Sequence, residues 1–181
     1  RECSNVTIKN SEIESPEFGW FTKGLSMANC TASSEYFMLK SSGLNFTSVD
    51  FSGKYSFQYV EDSVFENCNF DTKDAFWHAK NVVVRNCTVK GEYLGWYSEN
   101  LTLENCTITG TQPLCYCKGL KLVNCSIYEA DLAFEKSDVT ASINSNVCSI
   151  KNPLSGSINV ASLGTLIRDD PNSLAEVCTL A

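Results

Sequence analysis

No run of lysines or arginines interrupts this chain of 181 residues, no apolar stretch approaches the roughly 20 residues of a membrane span, and there is a single histidine. With a formal net charge of -7, the chain is not built for nucleic acid or an anionic membrane. It has no C-x-x-C pair, no glycine-rich phosphate loop and no Ser-His-Asp arrangement, so zinc ligation, nucleotide binding and triad hydrolysis have no signature. Nothing in the pattern asks for a cofactor. The chain opens with neither a methionine nor the apolar segment of a secretory leader, which sets the expectation of a fragment or a processed form. What it does have is 43% hydrophobic residues, enough for one core, and ten cysteines whose spacing decides their meaning.

That spacing is 19 residues. Stepping from Cys106 in both directions meets Ser11, Cys30, Val49, Cys68, Cys87 and Cys125 with no insertion, and the residue before each is asparagine except at Ser48. Two residues further on, Ile13, Ala32, Phe51, Phe70, Val89, Ile108 and Ile127 form a second column. Upstream, the Val6 and Ile8 positions repeat as Leu25 and Met27, Leu44 and Phe46, then onward to Val139 and Ala141. Self-similarity at a fixed period is the mark of a stacked-repeat architecture.

Apolar and polar residues alternate within each copy, as in Asn100-Leu101-Thr102-Leu103-Glu104, which is strand periodicity. Gly24, Gly43, Asp62, Asn81, Asn100, Gly119 and Asp138 share a column suited to a turn at positive φ. A 19-residue unit has no room for a helix beside a strand. It fits one coil of an all-β, right-handed, single-stranded parallel β-helix, with eight to nine coils stacked about 4.8 Å apart.

Three short strands per coil are expected. The coils are expected over 1–160, with Ile158 and Val160 still in step, and a C-terminal cap or tail over 161–181. Nothing caps the first coil, so further coils upstream, or a protein partner or second copy over that open end, are expected.

The repeat cysteines read as an inward column of small apolar fillers; buried reduced thiols favour a cytoplasmic setting. In-register cysteines have poor geometry for bridging, although Cys115 and Cys117 share one face of a strand and keep a metal or redox role open. The seven N-x-S/T sequons, at Asn5, Asn29, Asn45, Asn86, Asn100, Asn105 and Asn124, follow from the repeat, and stacked asparagine amides bonding along the ladder explain them without glycans.

Function on a solenoid sits on an exterior face, so the third strand matters most. Strict alternation turns the Phe18, Phe37 and Ser56 column and the Trp20, Trp77 and Trp96 column inward. It turns three columns outward: that of Tyr36, Tyr55, Asp74 and Tyr93; that of Gly19, Phe57, Phe76 and Leu114; and that of Lys40, Tyr59, His78, Tyr97, Tyr116 and Glu135. Aromatics beside carboxylates suit a carbohydrate. The substrate-binding candidates are Asp74, Tyr93, Trp96, Gln112, Tyr116, Asp131 and Glu135. Paired-carboxylate hydrolysis is poorly served, since Asp74 and Asp131 lie three coils, about 14 Å, apart. The catalytic candidates are His78, Tyr97, Tyr59 and Lys40, a base beside a lysine that could neutralise a uronate during β-elimination. The alternative is a non-catalytic scaffold that docks a protein partner, because the unbroken period leaves no insertions to wall a groove.

The runs TKDAFWHAKN, KGEYLGWYSENLTLENC, GTQPLCYCKGLKL, DLAFEKS and SIKNP resemble an uncharacterised "domain of unknown function" family of bacterial pectin-lyase-like proteins, over nearly the whole chain. The resemblance implies a right-handed single-stranded β-helix and additional N-terminal coils. It implies no activity and no catalytic residues.

Overall fold

The computed structural model describes residues 1–180. Sixteen strands and no helix make up the described residues, in a parallel β-solenoid of about nine turns. Like stacks on like at the expected period. On the first face Val6 lies over Leu25 and Ile8 over Met27, and the register passes through Phe46, Phe65, Val84 and Leu103 to Leu122. On the second face Ile13, Ala32, Phe51, Phe70, Val89, Ile108 and Ile127 form an unbroken inward ladder. These columns fill the interior between the faces, and seven phenylalanines are among its largest fully buried side chains.

The corner between the two faces is made by the asparagine column, where Asn10, Asn29, Asn86, Asn105 and Asn124 all hold φ between 51° and 54°. Asparagine tolerates this left-handed conformation better than most residues. Its amides also bond along the axis: Asn105 Nδ2 donates to Asn86 Oδ1 at 3.2 Å and Asn124 Nδ2 to Asn105 Oδ1 at 2.8 Å.

A left-handed residue swings a carbonyl away from the ladder, and the next side chain answers it. Cys68 donates its thiol to the Glu66 carbonyl at 3.2 Å, Cys87 to Arg85 at 3.0 Å and Cys106 to Glu104 at 3.3 Å; Ser11 does the same to Lys9 at 2.8 Å. The cysteine column therefore packs the core and also satisfies corner carbonyls. All ten cysteines are free thiols, seven of them buried.

Two expectations are corrected. Only Glu17–Phe18 and Tyr36–Phe37 pair as strands in the third segment. From the third coil onward this segment is a run of turns in which every second residue is left-handed, as in Tyr55, Phe57 and Tyr59 at φ 52°, 57° and 56°. Such a backbone is not extended, so the rule that successive side chains face opposite ways fails. The column expected outside, with Met38, Phe57, Phe76 and Leu114, is core, at 1% exposure or less. The tryptophan column expected inside lies half-buried across the exterior, and each indole N–H finds a carbonyl of the following coil: Trp77 to Tyr93 at 2.6 Å, Trp96 to Gln112 at 2.7 Å and Trp20 to Tyr36 at 3.1 Å.

The second correction concerns the period after Cys125. A shift after Leu122 pairs Cys125 with Ile143; in the next coil Val139 pairs with Gly156, Ala141 with Ile158 and Ile143 with Val160, and a further shift after Ile143 pairs Asn146 with Ser162. Ile158 and Val160 keep the alternation of the repeat but not its 19-residue step. The strand containing them runs from Ser155 to Ile167, and Glu176–Thr179 pairs along its first half.

Candidate functional site

Because each coil turns its third corner at the same place, that corner's side chains rise in one exterior column. Lys40, Tyr59, His78, Tyr97 and Tyr116 all occupy left-handed positions there, with φ from 52° to 61°. Their rings form a continuous stack. Tyr59 and His78 lie 4.6 Å apart at 6°, His78 and Tyr97 5.0 Å at 9°, and Tyr97 and Tyr116 4.9 Å at 12°. One end is closed by the Lys40 ammonium, 5.6 Å from the Tyr59 ring centroid. At the other, the Tyr116 hydroxyl donates to Glu135 at 3.4 Å, and Glu135 pairs with Lys151 at 3.0 Å. Burial and then the Glu135 charge push the Tyr116 phenol above its ordinary range.

A second layer braces this ladder. Trp77 and Trp96 stack at 5.4 Å and 5°, and Trp96 meets Tyr93, Tyr97 and Tyr116 edge-on at 5.2, 6.2 and 5.4 Å. Most of the candidates read from the sequence are thus brought together: Lys40, Tyr59, His78, Tyr97, Tyr116 and Glu135 in the ladder, with Trp96, Tyr93 and the Gln112 carbonyl behind it. Asp74 and Asp131 are hydrogen-bonded to none of the ladder residues. Asp74 is buried, and burial raises its carboxyl above the carboxylate range, with Lys73 opposing and Glu92 adding to the shift. Asp131 is exposed and accepts the Thr111 hydroxyl.

Stacking has a chemical consequence. Each ring face in the interior of the ladder is covered by its neighbour, so what reaches solvent is a row of edges bearing phenol hydroxyls and one imidazole. Lys40 is separated from His78 by the Tyr59 ring. Among the described residues no cluster of three or more His, Cys, Asp or Glu could hold a metal ion.

Sequence reasoning missed Trp77, which it placed inside, and Lys151, which lies beyond the regular repeat. An indole N–H needs an acceptor, and three tryptophans in one supposedly dry column were a signal against burial. It also missed concavities of about 520 and 630 Å³, which lie on the second face and at its far corner.

Nineteen-residue coils, left-handed corners and a stacked exterior column define a repeat β-solenoid. The chain belongs to the family described as "Protein of unknown function (DUF3737)", whose model matches residues 1–181. Among solved structures, the chain is similar to trypsin-treated QnrB1, a plasmid-mediated fluoroquinolone resistance protein, at 14% identity and a TM-score of 0.36, over 83% of this chain and 82% of that one. None of the curated proteins matches it.

Proposed function

We propose that the chain is a pectin-lyase-like binding solenoid that holds an extended carbohydrate along the Lys40–Glu135 ladder without transforming it. The observation that carries this reading is the stack itself. Four rings from successive coils are fixed by mutual contact, so their polar edges recur at the coil spacing of about 4.8 Å and lose little freedom on binding. A polymer whose sugar hydroxyls recur at a similar interval can bond to several edges at once. Closed ring faces mean that recognition runs through hydrogen bonds from these edges and not through flat stacking on a sugar.

In this reading Lys40, Tyr59, His78 and Tyr97 contact ligand and move no proton. Paired-carboxylate hydrolysis needs two carboxyl groups roughly 5 to 9.5 Å apart astride one bond, and Glu135 is already engaged by Tyr116 and Lys151. For elimination, lysine and base would have to converge on one sugar, whereas a ring stands between Lys40 and His78, and the Lys40 ammonium lies over the face of the Tyr59 ring.

A second reading is a protein partner docked on the same ridge, favoured by the unwalled periodic surface. A glycan array probed with the wild type, His78→Ala and Tyr97→Phe separates the two. The expected result is binding above background that falls roughly three- to tenfold in each variant, the value of one lost hydrogen bond. Absence of any bound glycan removes the carbohydrate reading and leaves the docking one.

A further inference from the structure

The second face carries an unassigned groove. Its strands stack in register, so Thr31, Asp50 and Asn69 stand in one outward row and Ser33, Ser52 and Asp71 in a parallel one. Between the rows lies a hollow of about 520 Å³, within the size range of small-molecule sites. The hollow exists because Ser33 and Ser52 are short. It is framed by the Asp71–Lys90 ion pair at 3.6 Å, and one wall is braced by Asn69 Nδ2 donating to Asp50 Oδ1 at 2.7 Å. The floor is the outer surface of Ala32, Phe51 and Phe70, whose side chains belong to the core.

We propose that this groove is a binding site for a small uncharged sugar or polyol, separate from the ladder. Hydroxyls that both donate and accept alternate along its walls with carboxylates that accept, over a floor of paired strand backbone. Such a lining matches a compact molecule that presents several hydroxyls at once. Anions are disfavoured: Glu12, Glu14, Asp50 and Asp71 face the groove against Lys90 alone, which is already paired. Amines are the competing class: Asp50 and Asp71 are engaged by Asn69 and Lys90, whereas Glu12 and Glu14 are not, so spermidine is the discriminating probe.

The test is saturation-transfer NMR on the whole protein with glucose, maltose, galacturonic acid and spermidine as probes. Ser52→Tyr fills the groove from an exposed strand position, and the same column already carries Tyr128, so the variant folds. Thr31→Val removes a hydroxyl without filling the space. In a His78→Ala/Tyr97→Ala background, which disables the ladder, transfer to at least one neutral sugar is expected, weakened at least tenfold by adding Ser52→Tyr and reduced by adding Thr31→Val. With the ladder disabled, the transfer that remains is the groove's own, so this result is independent of the glycan-array outcome. The proposal is overturned if neither neutral sugar binds, if binding survives Ser52→Tyr, or if galacturonic acid or spermidine binds in preference.

Discussion

Phe57 is where structure and sequence pattern disagree most, so its truncation is the sharpest test of the fold. Alternation along a strand puts this residue in solvent; in the structure it is fully buried at φ 57°, with its ring 4.9 Å from Phe65, 5.0 Å from Phe76 and 5.1 Å from Phe70. Phe37, Phe46 and Phe51 complete the surround at 5.6 to 5.9 Å. Removing such a ring costs about 3 to 5 kcal/mol. With a urea slope of about 2 kcal/mol/M, Phe57→Ala moves the unfolding midpoint down by about 1.5 to 2.5 M. Phe57→Gly adds a second readout. In an extended strand, glycine would be roughly 1 kcal/mol worse than alanine. At a left-handed position alanine itself carries about 1 to 2 kcal/mol of strain that glycine escapes, so the two variants should unfold at nearly the same urea concentration. Gly19 and Gly95 already occupy this column. A midpoint shift below about 0.5 M for Phe57→Ala, or Phe57→Gly clearly weaker than Phe57→Ala, would refute the inward, left-handed placement.

Native protein should expose three thiols to Ellman's reagent, Cys3, Cys148 and Cys178, with the other seven reacting only on unfolding. Burial pushes the Cys115 and Cys117 thiols up to about 12, so above the unfolded value near 8.5 the unfolded chain releases protons that the folded chain keeps. Stability must therefore fall as pH rises from about 9 toward 12, by up to about 2.7 kcal/mol per unit for the pair, and urea midpoints at pH 8, 9 and 10 should show a smaller loss in Cys115→Ser/Cys117→Ser. The raised Asp74 carboxyl has the same sign at lower pH, so Asp74→Asn should stabilise the protein at pH 7 and lose part of that advantage as acidification protonates the wild-type side chain. Asn105→Ala should cost about 1 to 2 kcal/mol in urea unfolding by losing both amide bonds and the left-handed preference, while Asn105→Gly, which keeps the conformation, should cost less.

Much of the fold was legible because the first two faces are true strands. There the inward columns headed by Val6, Ile8 and Ile13 obey period two, and asparagine or glycine marks the turns where a left-handed residue is needed. The third segment was misread because its left-handed positions carry tyrosine, phenylalanine, lysine and histidine, residue types that do not advertise positive φ. Two signals were available. Gly19 and Gly95 share a column with Phe57, and the column one step past the third corner carries Thr22, Ser41, Ser98 and Cys117 at four of its six positions, with Val60 and Ala79 at the other two, much as cysteines follow the asparagine corner. Ser98 donates to the Gly95 carbonyl at 2.7 Å and Cys117 to the Cys115 carbonyl at 3.5 Å, repeating the role of the cysteine thiols. The exterior ladder survived the misreading because stepping by 19 residues stacks equivalent side chains whatever their backbone angles. Which rings faced one another, and that Trp96 braced them, depended on those angles and was not legible. The shortened register after Cys125 was hidden because the slip at Ile158 and Val160 is an even one, two residues, which leaves apolar residues on the inward face.

The corners also explain why the ladder is the place to look for function. At the asparagine corner the outward residue is one that the backbone favours, so folding alone accounts for it. At the third corner Tyr59, His78 and Tyr97 occupy the same left-handed region, against a steric preference of about 1 to 2 kcal/mol per residue. Phe57 and Phe76 carry similar strain, but burial offsets it. Tyr59 and Tyr97 remain 43% and 44% exposed, so burial does not, and ring stacking returns only about 0.5 to 1.5 kcal/mol per pair. Asparagine or glycine at these positions would fold at least as well. The proposed binding role is one that a row of residues tolerated but not required by the fold would serve, through outer edges that are phenol hydroxyls and an imidazole spaced one coil apart.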